Sequence, residues 1–214
     1  MTYAVLADLE TGSKEKDAAV FSLAAILFKL DEPESVEQLA EAFVEGRATS
    51  GYRYLKLHVG NQWLEGRRLD EDTQQWWMQA RLAAPRKLVK DGTLGLKEAI
   101  LEFKQLVDIL KAEHQAVHGK DSKIVVYFRD RQFDDNILQH AAEQYGLDLG
   151  YSFNQRRDVR TYIDAKLDTT IGYIPDFKPF PELTRHHAMT DVLRDAAAMC
   201  EAKRRSQCTD SHAV

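Results

Sequence analysis

Hydrophobic positions along this chain come in two kinds of pattern. The first is continuous. Tyr3-Ala4-Val5-Leu6-Ala7 runs straight into Asp8, so residues 3–9 predict a buried strand that ends at its first carboxylate. Residues 18–30 predict a second, longer strand, and the polar stretch 12–17 between them predicts a hairpin. Residues 52–59 predict a third strand, and Ile124-Val125-Val126-Tyr127-Phe128 a fourth. The second pattern has helical spacing. Leu96, Ile100, Phe103, Val107 and Leu110 recur at three and four residues and predict a helix over 95–114. Shorter helices are expected at 70–78, capped by Asp72 or Thr73 with Trp76-Trp77 inward, and at 134–146, stopped by Gly146. A short strand or turn at 158–163 leads into another helix. A Pro-containing loop spans 168–184, and a last helix spans 187–205. Strands in a meander followed by strand–helix units predict an α/β fold, a mixed sheet flanked by helices. The expected organisation is one domain over 1–205 and a disordered tail over 206–214.

Composition narrows the class. At 214 residues, with 44% hydrophobic and 29% charged, the chain has an ordinary globular make-up. No apolar run approaches a membrane span, and a cytoplasmic setting is the default expectation (a host cytoplasm, for a phage-encoded chain). Cys200 and Cys208 form neither a disulfide framework nor a zinc spacing. The net charge is −5, with 19 acids against 16 Lys and Arg in residues 1–120 and 15 against 13 thereafter. Neither half is basic, so any nucleic-acid contact must be local and assisted by metal ions.

Within that frame the acids are arranged suggestively. Asp8 and Glu10 are two apart on an extended segment, so both point to one face. Such a pair repels unless a cation sits between, although a solvated strand end reads the same way. Asp134 opens a helix after a buried strand, as an N-cap, a metal ligand or both; Asp135 competes for either role but points about 100° away. His186 and Asp191 are five apart at the mouth of the last helix, where imidazole and carboxylate can meet, or where His186-His187 is a solvated loop. Four acids and a histidine in this order suit hard divalent ions and phosphodiester chemistry. Arg156-Arg157-Asp158-Val159-Arg160 is either a phosphate-binding surface or a set of arginines oriented by Asp158, and Trp76-Trp77 either stacks bases or fills core. No phosphate-cradling Gly-rich loop, dinucleotide fingerprint or nucleophile elbow occurs.

Together these motifs resemble the DEDDh branch of the DnaQ-like 3′–5′ exonucleases, which have the ribonuclease H-like fold. The chain is most similar to the group formed by the T-even phage exodeoxyribonuclease A and its bacterial exoribonuclease-like relatives. The likeness rests on Asp8-Leu9-Glu10-Thr11-Gly12-Ser13, Trp76-Trp77, Phe133-Asp134 with Ile137-Leu138, and Asn154-Gln155-Arg156-Arg157-Asp158-Val159-Arg160-Thr161. It departs at Arg129-Asp130-Arg131-Gln132, where relatives carry smaller residues, and by one extra residue before Asp158. The resemblance implies that Asp8, Glu10, Asp134 and Asp191 hold two Mg²⁺ or Mn²⁺ ions. It makes His186, not His187, the general base, and makes Thr11, Trp77, Phe133, Arg157 and Arg160 substrate contacts. The implied activity is release of nucleoside 5′-monophosphates from single-stranded 3′ ends, DNA before RNA. An exoribonuclease of the same family, or a non-catalytic nucleic-acid-binding relative, are the alternatives. Oligomeric state stays open, a homodimer included.

Overall fold

The computed structural model describes residues 3–119 and 124–210. Five strands form one sheet in the order β3-β2-β1-β4-β5. Strand β1 (Tyr3–Thr11) lies at its centre. It pairs antiparallel with β2 (Val20–Lys29) and parallel with β4 (Val126–Phe128). The outer strands are β3 (Tyr52–Lys56), antiparallel to β2, and β5 (Arg156–Asp158), parallel to β4. The expected mixed sheet and hairpin are present. β1, however, continues to Thr11, so Asp8 and Glu10 lie within the strand and not at its end.

Alternation along β1 divides the core. Val5, Ala7 and Leu9 face α5 (Leu96–His118) and α6 (Asn136–Gln144). Ala4 and Leu6 face a second layer that includes α1 (Pro33–Val44), α7 (Val159–Leu167) and α8 (Ala188–Asp210). Asp8 and Glu10 continue that second row, so period two aims both carboxylates toward α8. The hairpin has an irregularity: Glu10 pairs with Ser22 but Thr11 with Val20, which leaves Phe21 as an extra residue. Such bulges twist a strand and re-aim its side chains. Phe21 turns outward and meets Trp77 edge-on at 5.7 Å.

Three short helices lie outside the sheet: α2 (Val59–Leu64), α3 (Glu71–Met78) and α4 (Ala83–Leu88). α3 begins after Asp70, two or three residues earlier than an Asp72 or Thr73 cap requires, and Asp70 spends its carboxylate on the Ser13 hydroxyl instead. Of its tryptophans only Trp77 is buried; Trp76 is half-buried. α8 extends to Asp210, past the boundary expected at 205, so 206–210 are helical; residues 211–214 lie outside the described set. No described helix is long and apolar enough to cross a membrane.

Candidate active site

Asp8, Glu10 and Asp191 each offer a carboxylate oxygen, and these oxygens lie within 4.8 Å of one another. The central strand supplies the first two and the first turn of α8 the third. Asp134 comes from the segment that follows β4. After β4 the chain makes a π-helical turn, Arg131–Asp135, whose N-cap is Asp130, accepting the Gln132 N–H at 3.1 Å. A π turn adds a residue to the helical path and is frequent at functional sites. Asp134 is therefore not the cap. Its Oδ1 accepts the Leu9 N–H at 3.3 Å, which brings it to β1 between Asp8 and Glu10.

Desolvated together, these acids hold protons tightly. Burial first, then the charges of Asp134, Glu10 and Asp191, raise the Asp8 carboxyl well above the usual range. Glu10 is pushed up to about 8 by burial, Asp191 and Asp134. Asp134 is pushed up to about 8, chiefly by burial, against the opposing Leu9 hydrogen bond. Burial also raises Asp191. A divalent cation removes this penalty, and an all-oxygen donor set suits Mg²⁺ or Mn²⁺. Ser22, directly across from Glu10, adds a buried hydroxyl that has no hydrogen-bond partner among the described residues. The residues fit a bound divalent ion.

Asp135 has a different role. Arg156 contacts its Oδ2 at 2.9 Å and the Tyr151 hydroxyl donates to its Oδ1 at 2.9 Å, so it is a structural acid. Asp195, one helical turn beyond Asp191, is a further acid near the group and is buried. It pairs with Arg129, and burial pushes it up to about 6. The i, i+4 spacing from Asp191 is its only sequence signal.

The two histidines separate cleanly. His187 is buried between Phe43 and Tyr54 and caps α8: its Nδ1 accepts the Thr190 N–H at 3.4 Å and its carbonyl accepts that of Asp191 at 3.0 Å. Burial pushes it down to about 4. His186 stands just outside the helix at φ 56°, a left-handed conformation that turns it away from the helical path. Its ring meets the face or edge of Trp76 at right angles, 5.3 Å between centres. Burial lowers it, Asp191 opposes that, and Arg81 and Arg185 add to it. The loop before it is tied down by Arg194, which donates to the carbonyls of Phe180 and Leu183 at 3.0 and 2.6 Å.

A cleft of about 960 Å³ opens beside Glu10, lined by Leu9, Thr11, Trp76, Trp77 and Phe133. The candidate contacts are unequal. Phe133 reaches this cleft, but Thr11 is buried with its hydroxyl on the Ser13 carbonyl, and the Trp77 indole N–H is spent on the Thr11 carbonyl at 2.9 Å. Trp76 is the more accessible ring. Arg157 and Arg160 do not line the cleft. Arg157 is bound to the Asn154 and Arg156 carbonyls, and Arg160 lies 3.7 Å from Asp130. Among the described residues Asp158 forms no ion pair with these arginines; it caps α7 by accepting the Thr161 N–H at 2.8 Å.

Solved structures share this architecture. Exonuclease I from Methylocaldum szegediense superposes with a TM-score of 0.53 at 15% identity, over 96% of this chain and 41% of its own. The zinc-bound E. coli exonuclease I complex with single-stranded DNA gives 0.56 at 12%, over 99% and 42%. The nuclease domain of 3′hExo, a DEDDh family member bound to rAMP, gives 0.51 at 11%, over 95% and 92%. The chain thus spans about two fifths of the exonuclease I chains, and at these identities the likeness shows the ribonuclease H-like fold. A search of curated protein sequences gave no match. A family profile matches residues 3–202, almost the whole described chain, and on that match the protein belongs to the Rv2179c-like 3′–5′ exoribonuclease domain family.

Proposed function

We propose that this protein is a metal-dependent 3′–5′ exonuclease that removes nucleoside 5′-monophosphates from single-stranded ends. The observation that carries this reading is the convergence of Asp8, Glu10 and Asp191, with Asp134 hydrogen-bonded to the central strand between the first two. Mg²⁺ or Mn²⁺ held by these four acids would supply Lewis acidity toward the attacking water and the departing 3′-oxygen, in a two-ion arrangement. His186 is the general base. Burial favours its neutral form, so an imidazole nitrogen is free to accept the water proton, and Asp191 then favours the imidazolium that results. Trp76 and Phe133 hold the terminal nucleotide in the cleft. The lining of this cleft also carries Glu15, Asp70, Glu71 and Asp72, against Lys14. Acids in that number repel a phosphate chain, so the cleft favours a terminal nucleotide over a chain that continues through it.

RNA is the first substrate reading, supported by the family to which the chain belongs. DNA, the expectation from the phage likeness, is the second; E. coli exonuclease I, of the same fold, is seen in complex with single-stranded DNA. The test uses matched single-stranded RNA and DNA labelled at the 5′ end, with Mg²⁺ or Mn²⁺. Stepwise shortening with release of 5′-monophosphates is expected, and it should vanish in Asp134→Asn. Internal cutting of a closed single-stranded circle, or full activity in Asp134→Asn, would overturn the reading.

A further inference from the structure

The chain is acidic, yet residues 73–90 contain Arg81, Arg86, Lys87 and Lys90 and no carboxylate. The rest of the chain sets 25 Lys and Arg against all 34 acids. This segment forms the C-terminal part of α3, a 3₁₀ turn at Ala80–Leu82 and α4. Among the described residues none of its four cations forms an ion pair, whereas Arg129, Arg156 and Arg160 each face an aspartate. Arg81, Lys87 and Lys90 are exposed. The segment also begins at the site: the Arg81 guanidinium lies over Trp76 at 5.6 Å, and Trp76 is the ring against His186.

A second pocket, of about 470 Å³, lies beside it. Phe21, Leu57, Trp77 and Val89 give it an apolar lining, and two cations, Arg86 and Lys90, stand there against one acid, Asp91. Trp77 lines both this pocket and the cleft, so the two share a wall. Arg86 fixes that wall by donating to the Trp77 carbonyl at 2.6 Å. An apolar slot with unpaired cations beside it has the chemistry that single strands use: a base out of water, phosphates beside guanidinium and ammonium groups. The charge changes sign across α3, from Glu71 and Asp72 at its start to Arg81 and Arg86 after its end. That gradient gives the strand a direction.

We propose that the α3–α4 segment and its pocket bind the nucleotides 5′ of the terminal one, so that the strand leaves the active site over Arg81 toward Arg86, Lys87 and Lys90. This rests on the exonuclease reading above and assigns the surface that grips its substrate. It also takes that role from Arg157 and Arg160, which the chain has otherwise occupied.

The experiment compares wild type, Lys87→Glu/Lys90→Glu and Arg157→Glu on a dinucleotide and a dodecamer of whichever sugar wild type digests. Binding of a dodecamer with a phosphorothioate last linkage is measured across salt concentrations. Both lysines are exposed, so folding is checked simply by melting temperature. In the double variant the dodecamer-to-dinucleotide ratio of kcat/KM should fall on the order of tenfold, and the salt slope of binding should shrink by about 1.4, roughly 0.7 for each lost phosphate contact. Arg157→Glu should move neither. An unchanged ratio and slope in the double variant, or a loss in Arg157→Glu instead, would overturn the proposal while leaving the exonuclease reading intact. A wild type that digests neither strand would overturn the exonuclease reading, and this assignment with it.

Discussion

Asp134 and Asp135 are adjacent in sequence but serve different purposes. Asp134 points to the acid group on β1, and Asp135 is locked to Arg156 and Tyr151. Asp135→Ala leaves the partly exposed Arg156 guanidinium and the buried Tyr151 hydroxyl without their acceptor and should cost roughly 1–3 kcal/mol in a denaturant titration. Asp134→Asn removes a charge that the apo fold resists, so it should melt no earlier than wild type without metal, yet lose nuclease activity. Equal destabilisation by both would mean that Asp134 is structural too. The histidine doublet divides in the same manner. His186→Ala should lower kcat by roughly 10²–10⁴ with little change in melting temperature. His187→Ala should instead cost stability, about 1 kcal/mol for the lost helix cap and more for its packing. The five-residue spacing to Asp191 pointed to His186 from sequence, but nothing in the doublet showed that His187 is a buried cap. Likewise the π turn that carries Asp134 inward has no sequence signature, and the capping acid proved to be Asp130.

At the scale of elements, legibility followed periodicity. β1, β2 and α5 have clean repeats because each buries one or two whole faces, and they were readable from residues such as Val5, Leu23 and Phe103. α2 and α4 have six residues each, too few for a repeat to register, and in α1 the buried face of Val36, Leu39 and Ala40 is short and set among glutamates that mask its period. The loop over 168–184 gave only its prolines. Arg194, a residue of α8 far along the chain from most of the loop, ties it down by donating to three of its carbonyls. Arg194 also lies 3.8 Å from Asp191. Arg194→Ala should release the segment that holds His186 and lower kcat by up to roughly 10², since misplacement by about an ångström can cost that much. A change in KM alone, with kcat intact, would assign the loop to substrate binding and not to alignment.

Taken as a whole, the molecule places its most repelling charges at its centre. The sign of the pH dependence follows. Glu10 and Asp134 titrate near 8 in the folded chain but near the ordinary carboxylate range when unfolded. Between those values the folded state binds more protons, so stability falls as pH rises toward 8. His187 works the other way, but only between about 4 and 6.5, and above that its contribution is complete. Melting temperature without metal should therefore fall between pH 6.5 and 8, and saturating Mg²⁺ or Mn²⁺ should flatten that fall. A profile that is flat without metal would mean the acids do not share a desolvated site.

The position of β1 has one more consequence. It is the middle strand, hydrogen-bonded on both sides and covered on both faces. Its amides can exchange with solvent only when the sheet comes apart as a whole, not through fraying at an edge. A cation gripped by Asp8 and Glu10 therefore resists that cooperative opening. Deuterium uptake should slow together at Leu9 and at distant positions such as Phe103 on α5 when Mg²⁺ is added, while the amides of β5 at the sheet margin respond far less. The ion that serves catalysis would then act as a fastener for the entire domain.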